Sequence, residues 1–188
     1  MNCIKTINIE YVYGTQRIFL LTGITFIFTF CFSYILIGLT HTYPHSDSYF
    51  LNFLLVFFLL YPIHKLVHYL SLLNYRKSLS YRIKIKFSFV PILHMRLQDP
   101  IPKKRYILSL LAPFFILNPI FLIGGLVWPA FSHYFCLLFA LHCSICLLDL
   151  LYVKDLWKAP KNAIIEETPR GYEILIPTFP EDSSNLSP

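Results

Sequence analysis

The sequence predicts an all-α polytopic membrane protein: four transmembrane helices, a small cytoplasmic β-hairpin between the second and third, and a second cytoplasmic hairpin after the fourth. Three observations carry this reading. Of 188 residues, 56% are hydrophobic and only 14% charged, and the mean hydropathy is +0.57, far from the soluble average. Four apolar windows are each long enough to cross a hydrocarbon core of about 30 Å, which takes about 20 helical residues. Apart from Lys65, the lysines and arginines fall in segments that alternate with these windows.

The first window runs from about 18 to 39. Its apolar core exceeds a signal-peptide h-region and no small-x-small cleavage pattern follows, so it is read as a retained helix. The second, about 49–73, carries His64, Lys65 and His68 in its last third. The third, about 106–127, contains Pro113, Asn118, Pro119, Gly124 and Gly125. These predict a bend and close helix contact, with neighbouring groups satisfying the carbonyls that the prolines release. The fourth, about 131–153, carries His142 and Asp149, and an acid at membrane depth demands a partner.

Orientation follows from the basic residues. Lys5 and Arg17 precede the first window, nine lysines and arginines from Arg76 to Arg105 lie between the second and third, and Lys154, Lys158, Lys161 and Arg170 follow the fourth. The loops "THTYPHSDS" and "WPA" carry none. The positive-inside rule therefore puts both termini and the middle loop in the cytoplasm of a cell-membrane protein. The net charge of +6 thus reports topology and lipid headgroups rather than nucleic acid, for which the chain has no motif.

In the middle loop, Tyr81, Ile83, Ile85, Phe87 and Phe89 alternate with Arg82, Lys84, Lys86 and Ser88, the period of a half-buried strand. Pro91 interrupts it, and Leu93, Met95 and Leu97 resume it, giving a two-stranded unit on the membrane surface. After the fourth window, "AIIEETPRGYEILIP" reads as strand, turn, strand, the reversal being supplied by Pro169, Arg170 and Gly171. The organisation is thus a transmembrane domain over 1–160, a hairpin over 161–177 and a disordered tail over 178–188. The five cysteines are odd in number and four lie in apolar runs, so no disulfide framework is expected.

His64 and His68 stand at i and i+4, one helical turn apart, the spacing of the zincin signature HExxH. By rise per residue they lie about 14 and 8 Å below the cytoplasmic end of their helix, and Asp149 about 6 Å below the end of its own. These levels overlap, so two histidines and one carboxylate can supply three ligands to zinc and leave a fourth position for water. His142, Cys146 and Asp149 follow at i, i+4 and i+7 on one face, which makes His142 and Cys146 candidates for supporting the ligands. The competing reading is a buried polar network without metal, in which Asp149 neutralises Lys65.

The chain resembles, over nearly its whole length, the bacterial membrane family described as "putative zincin peptidase", whose layout is related to site-2-type intramembrane metalloproteases. The resemblance rests on "HKLVH" in the second helix, a basic strand segment, a proline-containing third helix, "HCSICLLDLLYV" in the fourth and "KAPKNAIIEETPRGYEILIP" after it. It implies a Gram-positive, Bacillus-like source, with His64, His68 and Asp149 as zinc ligands. The chain departs from the pattern at Lys65, where the glutamate that activates metal-bound water would stand, and in "LLDLL", where site-2 proteases set their aspartate before glycine.

Two functions follow. One is a zincin-like membrane metallopeptidase homologue, catalytically inactive because of Lys65, which engages a transmembrane peptide or a membrane-protein partner. The other is a non-enzymatic membrane scaffold or transporter-like component built around the Lys65, Asp149 and histidine network.

Overall fold

The computed structural model describes residues 2–40, 44–73, 79–86, 90–97, 100–168 and 171–176. It is mostly helical, with four long apolar helices and a small antiparallel sheet at one end. Strand β1 (Asn2–Ile7) and a short helix α1 (Ile9–Tyr13) lead into α2 (Thr15–Thr40); α3 spans Phe50–Ser71. A ribbon of β2 (Leu79–Lys86) and β3 (Val90–Leu97) precedes β4 (Ile101–Pro102) and α4 (Lys103–Val127). A 3-10 turn then leads into α5 (Ser132–Trp157), followed by β5 (Ile164–Thr168) and β6 (Gly171–Ile176).

The four long helices match the four expected spans and are apolar and long enough to cross a membrane. Few of the residues of α2 and α3 are buried, and Phe19, Phe28, Leu51 and Phe58 are among the large apolar side chains they leave exposed. An exposed apolar band of this extent fits a lipid surround rather than water. Hydroxyls within α2 bond back to the helix itself: Thr22 donates to the Ile18 carbonyl and Thr25 to that of Leu21, both at 2.8 Å.

Helices α4 and α5 form the central pair, with α2 against α5 and α3 against α4. Their close approach depends on the small residues read from the sequence. A Cβ on Gly124 would stand 2.3 Å from Phe135 Cε1, and one on Gly125 would stand 2.7 Å from Ile37 Cδ1. Helix α4 continues through Pro113 and Pro119.

The sheet is larger than the hairpin expected over 161–177. Strands run in the order β1-β6-β5-β4, all antiparallel, so the N-terminal strand and two residues before α4 complete it. The β1–β6 register shifts between Cys3 and Lys5, the extra residue of a bulge. Pro102 sits on the edge strand, where its missing N–H costs nothing. At the β5–β6 turn Gly171 has φ 143°, and a Cβ there would meet the Ile7 carbonyl oxygen at 2.0 Å. Only glycine fits both demands.

Beneath this sheet Ile7, Ile9, Ile101, Tyr106, Leu156 and Ile165 form a buried core that joins the start of α4 to the end of α5. Leu72, just past α3, joins the same core. The Lys103 ammonium donates to the carbonyls of Trp157 and Ala159, closing the C-terminal end of α5. These contacts fix the axial positions of α4 and α5, and so of the polar groups they carry.

The middle ribbon also differs in detail from its expectation. Pro91 does not separate two strands: it lies inside β3, opposite Ile85, in a ribbon that consists only of edges. Phe87, Ser88 and Phe89, the turn residues Pro169 and Arg170, and the 178–188 tail lie outside the described residues.

Candidate metal centre

Helix α3 presents His64 and His68 on one face, and both are buried. Helix α5 meets them with Asp149 and, deeper, with His142 and Cys146, which are 0% and 1% exposed. His64 lies seven residues before Ser71 and Asp149 eight before Trp157, equivalent depths of about 10 and 12 Å. The fourth helix runs to Trp157, four residues past its expected end at Val153.

The three expected ligands converge. His64 Nε2 and His68 Nε2 are 3.0 Å apart, and Asp149 Oδ2 stands 3.1 Å from the first and 3.4 Å from the second. Nitrogen and oxygen atoms about 2.0–2.1 Å from a tetrahedral zinc ion lie about 3.3 Å from one another. The triangle therefore has the size of one face of a zinc coordination shell.

Hydrogen bonds around the triangle decide which atoms carry lone pairs. His68 Nδ1 lies 2.8 Å from the Ser109 carbonyl oxygen, which can only accept, so the proton is on Nδ1 and Nε2 is bare. That carbonyl is available because residue 113 is proline: a helical N–H at 113 would otherwise bond back to it. His142 Nδ1 lies 2.6 Å from Asn118 Oδ1 and donates to it, leaving His142 Nε2 as an acceptor. His64 Nδ1, 3.2 Å from that nitrogen, then donates in turn and leaves its own Nε2 bare.

With these tautomers, two bare imidazole nitrogens and a carboxylate oxygen face one another in a buried space. Asp149 Oδ2 has no hydrogen-bond donor among the described residues. Three mutually close acceptors, one of them anionic, are costly when buried and are neutralised by a cation placed among them. The donor set, two histidines and a carboxylate, is one that zinc takes in catalytic sites. Each histidine is also oriented through its remote nitrogen, as metal-ligating histidines are.

Lys65 is not part of this cluster. No ion pair joins it to Asp149 among the described residues; its ammonium lies 5.9 Å from the centre of the Tyr61 ring. The Lys65–Asp149 pair of the competing reading is not formed among the described residues; Asp149 lies against His64 and His68 instead.

His142 and Cys146 lie beside His64, with Cys146 Sγ 3.6 Å from His142 Nε2 and 3.9 Å from His64 Nδ1. Asn118 and Ser109 also take part. The sequence points to Asn118 only as a helix-packing residue, and the signal for Ser109 is Pro113, four residues on.

Fold and site together define a mostly helical protein whose apolar helices enclose a zincin-like set of two histidines and an aspartate. The profile of the family described as "Putative zincin peptidase" matches residues 57–164, more than half of the chain and all of the site. The chain belongs to that family. No curated protein and no solved structure matches it.

Proposed function

We propose that this protein is a membrane-embedded, zinc-binding member of its family in which His64, His68 and Asp149 hold the metal while glutamate-assisted peptide hydrolysis is lost. The observation that carries the reading is the acceptor triangle of 3.0, 3.1 and 3.4 Å. Zinc in such a site polarises a carbonyl and acidifies bound water. What is missing is a proton acceptor. The four long helices contain two carboxylates, Asp149 and Asp155. Asp149 is committed as a ligand, and Asp155 is six residues further on, about 9 Å along the axis. Lys65, at the position of the zincin glutamate, accepts a proton only when neutral.

The chain then works by binding rather than cleavage. Its partner is the transmembrane segment of another membrane protein, held against the exposed apolar faces near the metal. By the distribution of basic residues we assign the sheet end of the helices to the cytoplasm. The scaffold reading keeps the same polar network but needs no ion, and it no longer includes Lys65.

The test is proteolysis of a fluorogenic transmembrane peptide in detergent. The wild type is expected to be inert, and Lys65→Glu to gain cleavage that requires zinc. Cleavage by the wild type that disappears in Asp149→Ala would overturn the loss of hydrolysis.

A further inference from the structure

His64 carries one proton for two nitrogens, and both nitrogens face a set of ligands. On the side away from His68, its Nδ1 stands 3.2 Å from His142 Nε2, and Cys146 Sγ lies 3.9 Å from the first and 3.6 Å from the second. Nitrogen and sulfur ligands, bound to an ion at about 2.0–2.1 Å and about 2.3 Å respectively, lie about 3.3–3.6 Å apart. The three atoms thus bracket a second ion position, deeper among the helices than the first. His64, His142 and Cys146 are at most 1% exposed.

We propose that His64, His142 and Cys146 form a second, alternative metal site, selective for a monovalent thiophilic cation of the cuprous type. Orientation of His142 supports it: its Nδ1 donates to Asn118 Oδ1 at 2.6 Å, which bares Nε2. His64 serves this site when its proton moves from Nδ1 to Nε2, which stands 3.1 Å from Asp149 Oδ2, and Nδ1 is then bare. A carboxylate behind a ligating histidine is a recurrent support for metal binding. In this arrangement Asp149 is the partner of a ligand rather than a ligand.

Softness selects the ion. On binding, Cys146 loses its thiol proton and presents a thiolate beside two neutral imidazoles. Thiolate with imidazole suits cuprous copper, whereas the carboxylate of the outer set suits harder ions. Because both positions need His64, with its proton on opposite nitrogens, a single neutral His64 serves one of them at a time.

The experiment is anaerobic titration of the detergent-purified full chain with cuprous ion, in competition with a chromophoric chelator, followed by X-ray absorption. The expected result is one tightly held copper with a sulfur neighbour at about 2.3 Å. Cys146→Ser and His142→Ala should weaken it by more than the about 10–100-fold that loss of a supporting group costs. Cys136→Ser, which alters a buried thiol ten residues away on the same helix, should leave it unchanged. Thermal unfolding of Cys146→Ser in detergent checks that the variant is folded. Equal affinity in wild type and folded Cys146→Ser, or a copper without a sulfur neighbour, would overturn the proposal. Failure of zinc to bind at the outer triangle would leave this test intact.

Discussion

His68 Nδ1 lies 2.8 Å from the main-chain carbonyl of Ser109, and that carbonyl is free to accept because Pro113 has no N–H to return to it. A proline in α4 thereby orients a histidine in α3. Pro113→Ala restores a competing helical donor. It should lower zinc affinity by about 10-fold, as loss of an outer hydrogen bond does, while leaving α4 intact or more stable. Isothermal titration with zinc, beside thermal unfolding, separates the two effects; unchanged affinity would remove Pro113 from the account.

Asn118 acts at one remove, through His142 to His64. Asn118→Leu takes away the oxygen that fixes the proton on His142 Nδ1. Zinc affinity should fall by about 10-fold. Asn118→Asp keeps an acceptor oxygen and should retain more of it, a difference that simple loss of packing would not produce.

The sheet makes a prediction about stability rather than metal. Gly171→Ala must hold a Cβ at φ 143° and against the Ile7 carbonyl. The cost should be about 1–3 kcal/mol. Gly23→Ala in α2, where a new Cβ meets nothing within 4 Å, should be neutral or stabilising. Thermal unfolding in detergent ranks the two.

Orientation is testable with single cysteines. The Asp47 side chain is 93% exposed at the end of the helices away from the sheet, and Lys161 is exposed at the sheet end. A membrane-impermeant maleimide should label Asp47→Cys in intact cells and Lys161→Cys only after lysis. The opposite pattern would invert the topology.

Much of the fold was legible because its signals are local. Hydropathy gives the spans, and alternation gives both ribbons. What escaped depends on distant partners. Strand β1 pairs with β6 from the other end of the chain, and nothing in Asn2–Ile7 alone announces that. The extension of α5 past Val153 runs through Lys154 and Asp155, polar residues that end a hydropathy window without ending a helix. In the site, the His64, His68 and Asp149 triangle was readable from spacing and depth. Asn118 and Ser109 were not, since their roles depend on which way α4 faces α3 and α5. The competing Lys65–Asp149 pair rests on charge alone, and the Lys65 ammonium lies by the Tyr61 ring instead.

The central claim is that His64, His68 and Asp149 hold an ion, and zinc content of the detergent-purified protein tests it most directly. About one zinc per chain is expected in the wild type, falling toward none in His68→Ala and Asp149→Ala while both variants stay folded. A folded wild type that takes up no zinc from buffered excess, or variants that retain it fully, would contradict the account.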